Sequence, residues 1–100
     1  MSVETLIDFT SVRNRNEQAV FDAVTRQAAQ FPGIAGDAEL LADVACVALN
    51  RLPSRYIRHE VDFVFYLSER ERAQSERHLA EAVEYAFGFV QARTAMRARG

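Results

Sequence analysis

Leu40-Leu41-Ala42-Asp43-Val44-Ala45-Cys46-Val47-Ala48-Leu49-Asn50-Arg51-Leu52-Pro53-Ser54-Arg55-Tyr56 orders the rest of the chain around itself. Leu40, Leu41, Val44, Ala45, Val47, Ala48, Leu49 and Leu52 occupy nearly every side of a helical cylinder. Such a helix is expected to be covered all round and to form the hydrophobic centre. Just ahead of it, Asp37 can accept bonds from the free backbone N–H groups of the first turn, where Glu39 adds favourable charge. Pro53 disfavours helical geometry at Leu52, so the helix should end about Arg51. A buried helix therefore stops where three arginines, Arg51, Arg55 and Arg58, and one aromatic ring, Tyr56, follow in quick succession.

Toward the N-terminus, Asn14 or Asn16 caps a helix running to about Gln30. Glu17 stands at capping-box spacing from Asn14, and Val20, Val24, Ala28 and Phe31 form one stripe. Pro32-Gly33 is expected to stop it. Residues 1–12 read either as a short helix, through Val3, Leu6, Ile7 and Phe9, or as an anchored arm. Toward the C-terminus, the pattern from Tyr56 to Leu67 changes to period two, with Val61, Phe63, Phe65 and Leu67 pointing one way. An isolated strand leaves backbone groups unpaired, so it needs a short partner such as Arg55 to Arg58 or the same strand of a second subunit.

Ser68-Glu69-Arg70-Glu71 has the form of a capping box and opens the longest helical segment, to about Met96. A helix of about 28 residues extends roughly 42 Å, against a diameter of roughly 34 Å for a compact domain of this length. It carries two apolar strips, Leu79-Val83-Ala86-Val90 and Ala82-Tyr85-Phe89-Ala92-Met96. One strip serves the core; the other is expected to serve a symmetric mate. The expected fold is mainly α, with a short strand or strand pair, as one compact helical domain with a long C-terminal helix, assembled as a homodimer.

One hundred residues, 49% hydrophobic and 26% charged, fit a single globular domain. The formal charge of -2 is too small for nonspecific attraction to nucleic acid or membranes, so neither is an expected partner. The charge is unevenly spread. Three arginines against seven acids leave residues 1–50 at -4, and nine against seven leave residues 51–100 at +2. All twelve basic residues are arginine, whose planar fork suits phosphate and stacks on rings, although codon bias in a GC-rich genome is the better explanation for the absence of lysine. Cys46 is the only cysteine, so no intrachain disulfide and no cysteine cluster for zinc can form. Met1-Ser2-Val3-Glu4 opens no leader-like pattern and no apolar run reaches membrane-spanning length, so a cytoplasmic protein is expected.

Asn14-Arg15-Asn16-Glu17 with Val20, then Asp43-Val44 leading into Ala48-Leu49-Asn50-Arg51-Leu52-Pro53-Ser54-Arg55-Tyr56, resembles the late competence development ComFB family over about residues 14–58. The resemblance implies a small, mainly helical, dimeric bacterial regulator without enzymatic activity, whose relatives bind cyclic dinucleotide messengers. Where some relatives carry a zinc-binding cysteine cluster, this chain has Pro32-Gly33-Ile34-Ala35-Gly36-Asp37-Ala38-Glu39-Leu40, so no metal cofactor is expected.

A cyclic dinucleotide, c-di-AMP or c-di-GMP, presents two phosphates and two bases, so its receptor needs guanidinium forks and flat stacking groups. Arg51, Arg55 and Arg58 can serve the phosphates, Tyr56 can stack on a base, and Asn50 can bond a base edge. The structural alternatives are equally concrete. Arg51 and Arg55 can cap helix-end carbonyls or pair with Asp43, Glu60 or Asp62, Asn50 can fix the turn, and the Tyr56 ring can lie in the core. Arg51 and Arg55 also share the R-x-x-x-R spacing of PilZ-type receptors, without the D/N-x-S-x-x-G element that should follow. His59-Glu60, His78 and Cys46 read as a mismatched pair, a solvated side chain and a packing residue, so no catalyst is expected. The rival function is a dimeric protein-interaction module with no small-molecule ligand. In either case the downstream partner protein is unknown.

Overall fold

The computed structural model describes residues 7–61 and 67–99. In chain order these form β1 (Arg13–Asn14), α1 (Arg15–Gln27), a 3-10 turn (Ala28–Gln30), α2 (Pro32–Ala35), α3 (Ala38–Arg51), β2 (Tyr56–Ile57) and α4 (Glu69–Arg99). The mainly helical architecture with one strand pair and a long C-terminal helix is thus realised.

Local chemistry sets the helix ends. Asn14 caps α1, its Oδ1 accepting the Asn16 N–H at 3.2 Å. Asp37 caps α3, with Oδ1 accepting the N–H groups of Glu39 and Leu40 at 3.0 and 3.1 Å. At the head of α4, Ser68 Oγ accepts the Glu71 N–H and its hydroxyl donates to the Glu71 carboxylate, both at 3.1 Å, so Glu71 reaches back to the hydroxyl itself. Each cap is of the kind worth about 1 kcal/mol. The first long helix gives way to a 3-10 turn after Gln27, and Pro32-Gly33 does not simply end it. Proline fits the first position of a helix, and Pro32 opens the short α2 there.

The core lies where α1, α3 and α4 meet. Val20, Ile34, Val44, Val83, Phe87 and Val90 are its largest fully buried side chains, and Ala23, Ala48, Ala82 and Ala86 let the helices approach closely. Phe31 stacks on Phe87 with ring centroids 4.3 Å apart. Leu79, Val83, Ala86 and Val90 do face this core. On the second strip only Ala82 is buried, while Tyr85, Phe89 and Met96 stay exposed. The expectation that α3 is covered all round fails for one protomer. Leu41 and Leu49 are half-buried beside Phe21 and Cys46, in an open groove of about 470 Å³ between α1 and α3. Beyond Val90, α4 continues for nine residues with no buried side chain, and the molecule reaches 54 Å along its longest axis.

The strand pair differs from the expected one. Tyr56–Ile57 pairs antiparallel with Arg13–Asn14, Arg13 opposite Ile57 and Asn14 opposite Tyr56. A bend at Arg58–His59 and helical backbone at Glu60–Val61 end it, and the aromatic run of residues 62–66 lies outside the described residues. Residues 7–12 form an arm with a turn closed by the Val12 N–H on the Phe9 carbonyl.

Candidate functional site

Three hydrogen bonds clasp the turn after α3 to the start of α1. The Arg55 N–H donates to Asn14 Oδ1 at 2.9 Å, and the Arg55 carbonyl accepts the Arg15 N–H at 2.7 Å. Asn16, the one buried polar residue among those described, donates from Nδ2 to the Pro53 carbonyl at 2.7 Å. Both backbone polar groups of Arg55 are therefore fixed, and a short polar side chain of α1 satisfies the carbonyl of Pro53. Asn14 serves twice, as helix cap and as anchor of the turn.

Beside the clasp, two clefts open between this turn and α4. One, of about 270 Å³, is lined by Asn16, Leu52, Pro53, Arg55, Glu71, Gln74, Ser75 and His78. The other, of about 180 Å³, is lined by Arg51, Leu52, Pro53, His78, Glu81 and Ala82. Leu52, Pro53 and His78 are common to both. The carboxylates that arginines after α3 were expected to engage are taken by others. Asp43 pairs with Arg93 at 3.0 Å, and Glu60 pairs with Arg15 at 3.1 Å and Arg13 at 3.9 Å. Neither Arg51 nor Arg55 pairs with a carboxylate among the described residues. Asp62 lies outside them.

The Arg51 guanidinium sits over the Tyr85 ring, 3.7 Å from its centroid, and Tyr85 in turn stacks on Phe89. A guanidinium held by its face keeps its in-plane donors available. Arg55 is half-buried and lines the larger of the two clefts.

The remaining expected ligand residues do not join these two. Asn50 lines the groove between α1 and α3, where Nδ2 lies 3.6 Å from Cys46 Sγ. Tyr56 is 68% exposed, which overturns its placement in the core, and it lines neither cleft. Arg58 reaches the other way, donating from Nε to Ser11 Oγ at 3.3 Å. Conversely, Gln74 and His78 line the cleft without having been expected there. Their signal was the spacing of Glu71, Gln74, Ser75 and His78, a polar stripe along one face of α4.

The family model for the late competence development protein ComFB matches residues 13–94. The chain belongs to the ComFB family. The match extends well past residue 58, through the aromatic run and most of α4. It takes in both strands of the clasp, so the two resembling motifs, around Asn14–Glu17 and Leu52–Tyr56, are bonded to each other in space. No curated protein and no solved structure matches the chain. Family membership associates the chain with late competence and with a regulatory role. Residues 32–40 contain no cysteine or histidine. Among the described residues no three His, Cys, Asp or Glu side chains gather as a metal site, and no helix is long and apolar enough to cross a membrane.

Proposed function

We propose that this ComFB-family chain is a non-enzymatic regulator that binds a cyclic dinucleotide, with Arg55 as the principal phosphate-binding residue and Arg51 beside it. One observation carries the reading. The Arg55 backbone is held at both its N–H and its carbonyl, and Arg55 lines a cleft while its side chain has no carboxylate partner among the described residues. A preorganised fork of this kind binds a phosphate without first losing another ion pair. Asn50, Tyr56 and Arg58 stand apart from the clefts in one protomer, so the ligand set contracts to the two arginines there.

The size of the cleft supports a two-fold arrangement. About 270 Å³ lies below the roughly 300–1,000 Å³ of a complete small-molecule site. Half of a symmetric dinucleotide per protomer, with two protomers closing on it, reconciles that volume with the ligand. Exposed Tyr85, Phe89 and Met96 give such a pair an apolar contact surface. The same three side chains favour the second reading, an interaction module with no small-molecule ligand.

Titration separates the two. At about 100 times its dissociation constant, a ligand adds roughly 2.7 kcal/mol to the folded state, which raises the melting temperature of a domain this size by about 10 °C or more. c-di-AMP or c-di-GMP should produce that shift, with matching calorimetric heat, where ATP and GTP do not. An unchanged melting point and no heat across the panel would refute the receptor and leave the interaction module.

A further inference from the structure

His78 is the one polar residue that lines both clefts, standing between the Arg55 arm and the Arg51 arm. It is exposed on α4 and makes no hydrogen bond to a described residue. Leu52 and Pro53 also line both clefts and give the two arms a shared apolar stretch. We propose that the two clefts are one trough for a single nucleotide unit, with His78 as a ligand-contacting residue at its centre.

The composition of the walls selects that chemistry. Arg55 lines one arm and Arg51 the other; a guanidinium turned into either would donate to an anion, and the His78 imidazole adds a further donor between them. A bare inorganic anion is poorly matched to the rest, because Glu71 lines the Arg55 arm and Glu81 the Arg51 arm. Carboxylates repel an anion but accept bonds from hydroxyl and amino groups. The matching ligand therefore joins a phosphate to a donor-bearing sugar or base and has an apolar face to lay on Leu52 and Pro53. A nucleotide has all three parts. Tyr85 acts through Arg51 as a positioning residue, holding the guanidinium by its face at the end of the trough.

This inference rests on the Arg55 cleft being a phosphate site, as in the function proposed above, but not on the ligand being cyclic or dimeric. The test follows the imidazole C–H signals of His78 by NMR, assigned with His78→Asn, while the whole chain is titrated with AMP, GMP, c-di-AMP, c-di-GMP and inorganic phosphate. At least one nucleotide should move the His78 signals saturably and leave those of His59 in place, and inorganic phosphate should bind much more weakly. Calorimetry on His78→Leu should show that nucleotide bound about tenfold or more weakly, the loss expected for one hydrogen bond to a charged group. Because His78 is exposed, an unchanged melting temperature will show that the variant is folded.

If a mononucleotide moves His78 while neither cyclic dinucleotide binds, the trough stands and the cyclic dinucleotide reading falls. Should a cyclic dinucleotide bind while His78 stays still and His78→Leu binds as tightly as the parent, the trough is refuted and the receptor stands. Silence across all five probes overturns both.

Discussion

Replacing Asn14 by alanine tests the clasp from which the site is built. The substitution removes one acceptor that serves two donors, the Asn16 N–H at 3.2 Å and the Arg55 N–H at 2.9 Å. Loss of an N-cap side chain costs about 1 kcal/mol, and loss of an ordinary intramolecular hydrogen bond about another 1 kcal/mol. The expected destabilisation of Asn14→Ala is therefore about 2 kcal/mol. In a domain of this size that lowers the melting temperature by about 8–16 °C. Asn14→Asp keeps an acceptor for both donors and places negative charge at the head of α1, so it should lie within about 0.5 kcal/mol of the parent. Urea unfolding of the three proteins, compared at constant m-value, measures the difference. If Asn14→Ala unfolds within about 0.5 kcal/mol of the parent, water replaces the side chain at both amides and the clasp does not organise the turn.

Other substitutions probe separate parts of the molecule. Phe87→Ala should cost about 3–5 kcal/mol, because it empties a fully buried site and strips Phe31 of its stacking partner; thermal melting followed by circular dichroism reads it directly. Asp43→Ala breaks the ion pair with Arg93, whose side chains are 48% and 32% exposed, so its cost should stay below about 1 kcal/mol and shrink as salt is added to the urea titrations. Arg55→Ala should abolish cyclic dinucleotide heat in calorimetry while leaving the melting temperature within a few degrees of the parent, since its side chain forms no ion pair among the described residues.

Features governed by a few neighbouring residues were legible in the sequence. Asp37, Pro53 and Ser68 bound their helices because capping and the missing proline N–H act within one turn. Arg55 lines one cleft and Arg51 the other, one in the turn and one at the helix end. What escaped depended on partners far away in the chain. Within Arg55 to Arg58, expected as a short partner for the segment running on to Leu67, Tyr56–Ile57 pairs instead with Arg13–Asn14, where Asn14 and Asn16 hold that turn against α1. Phe87 fell between the two apolar strips read on α4, yet a residue eight positions after Leu79 returns to the same face, and Phe31 meets it there. His78 is exposed, as its charged helix neighbours imply; its proximity to Leu52 and Pro53 is a matter of how α4 crosses the end of α3.

The clasp joins groups 37 to 41 residues apart, so closing it carries a loop entropy that nearby helices must first offset by docking. Arg55 is seated only where α1 and α3 lie side by side. A denatured chain carries the same arginines without holding them together, so a ligand of the proposed kind would bind the folded protein alone. Its binding free energy would then raise the stability of the folded state alone.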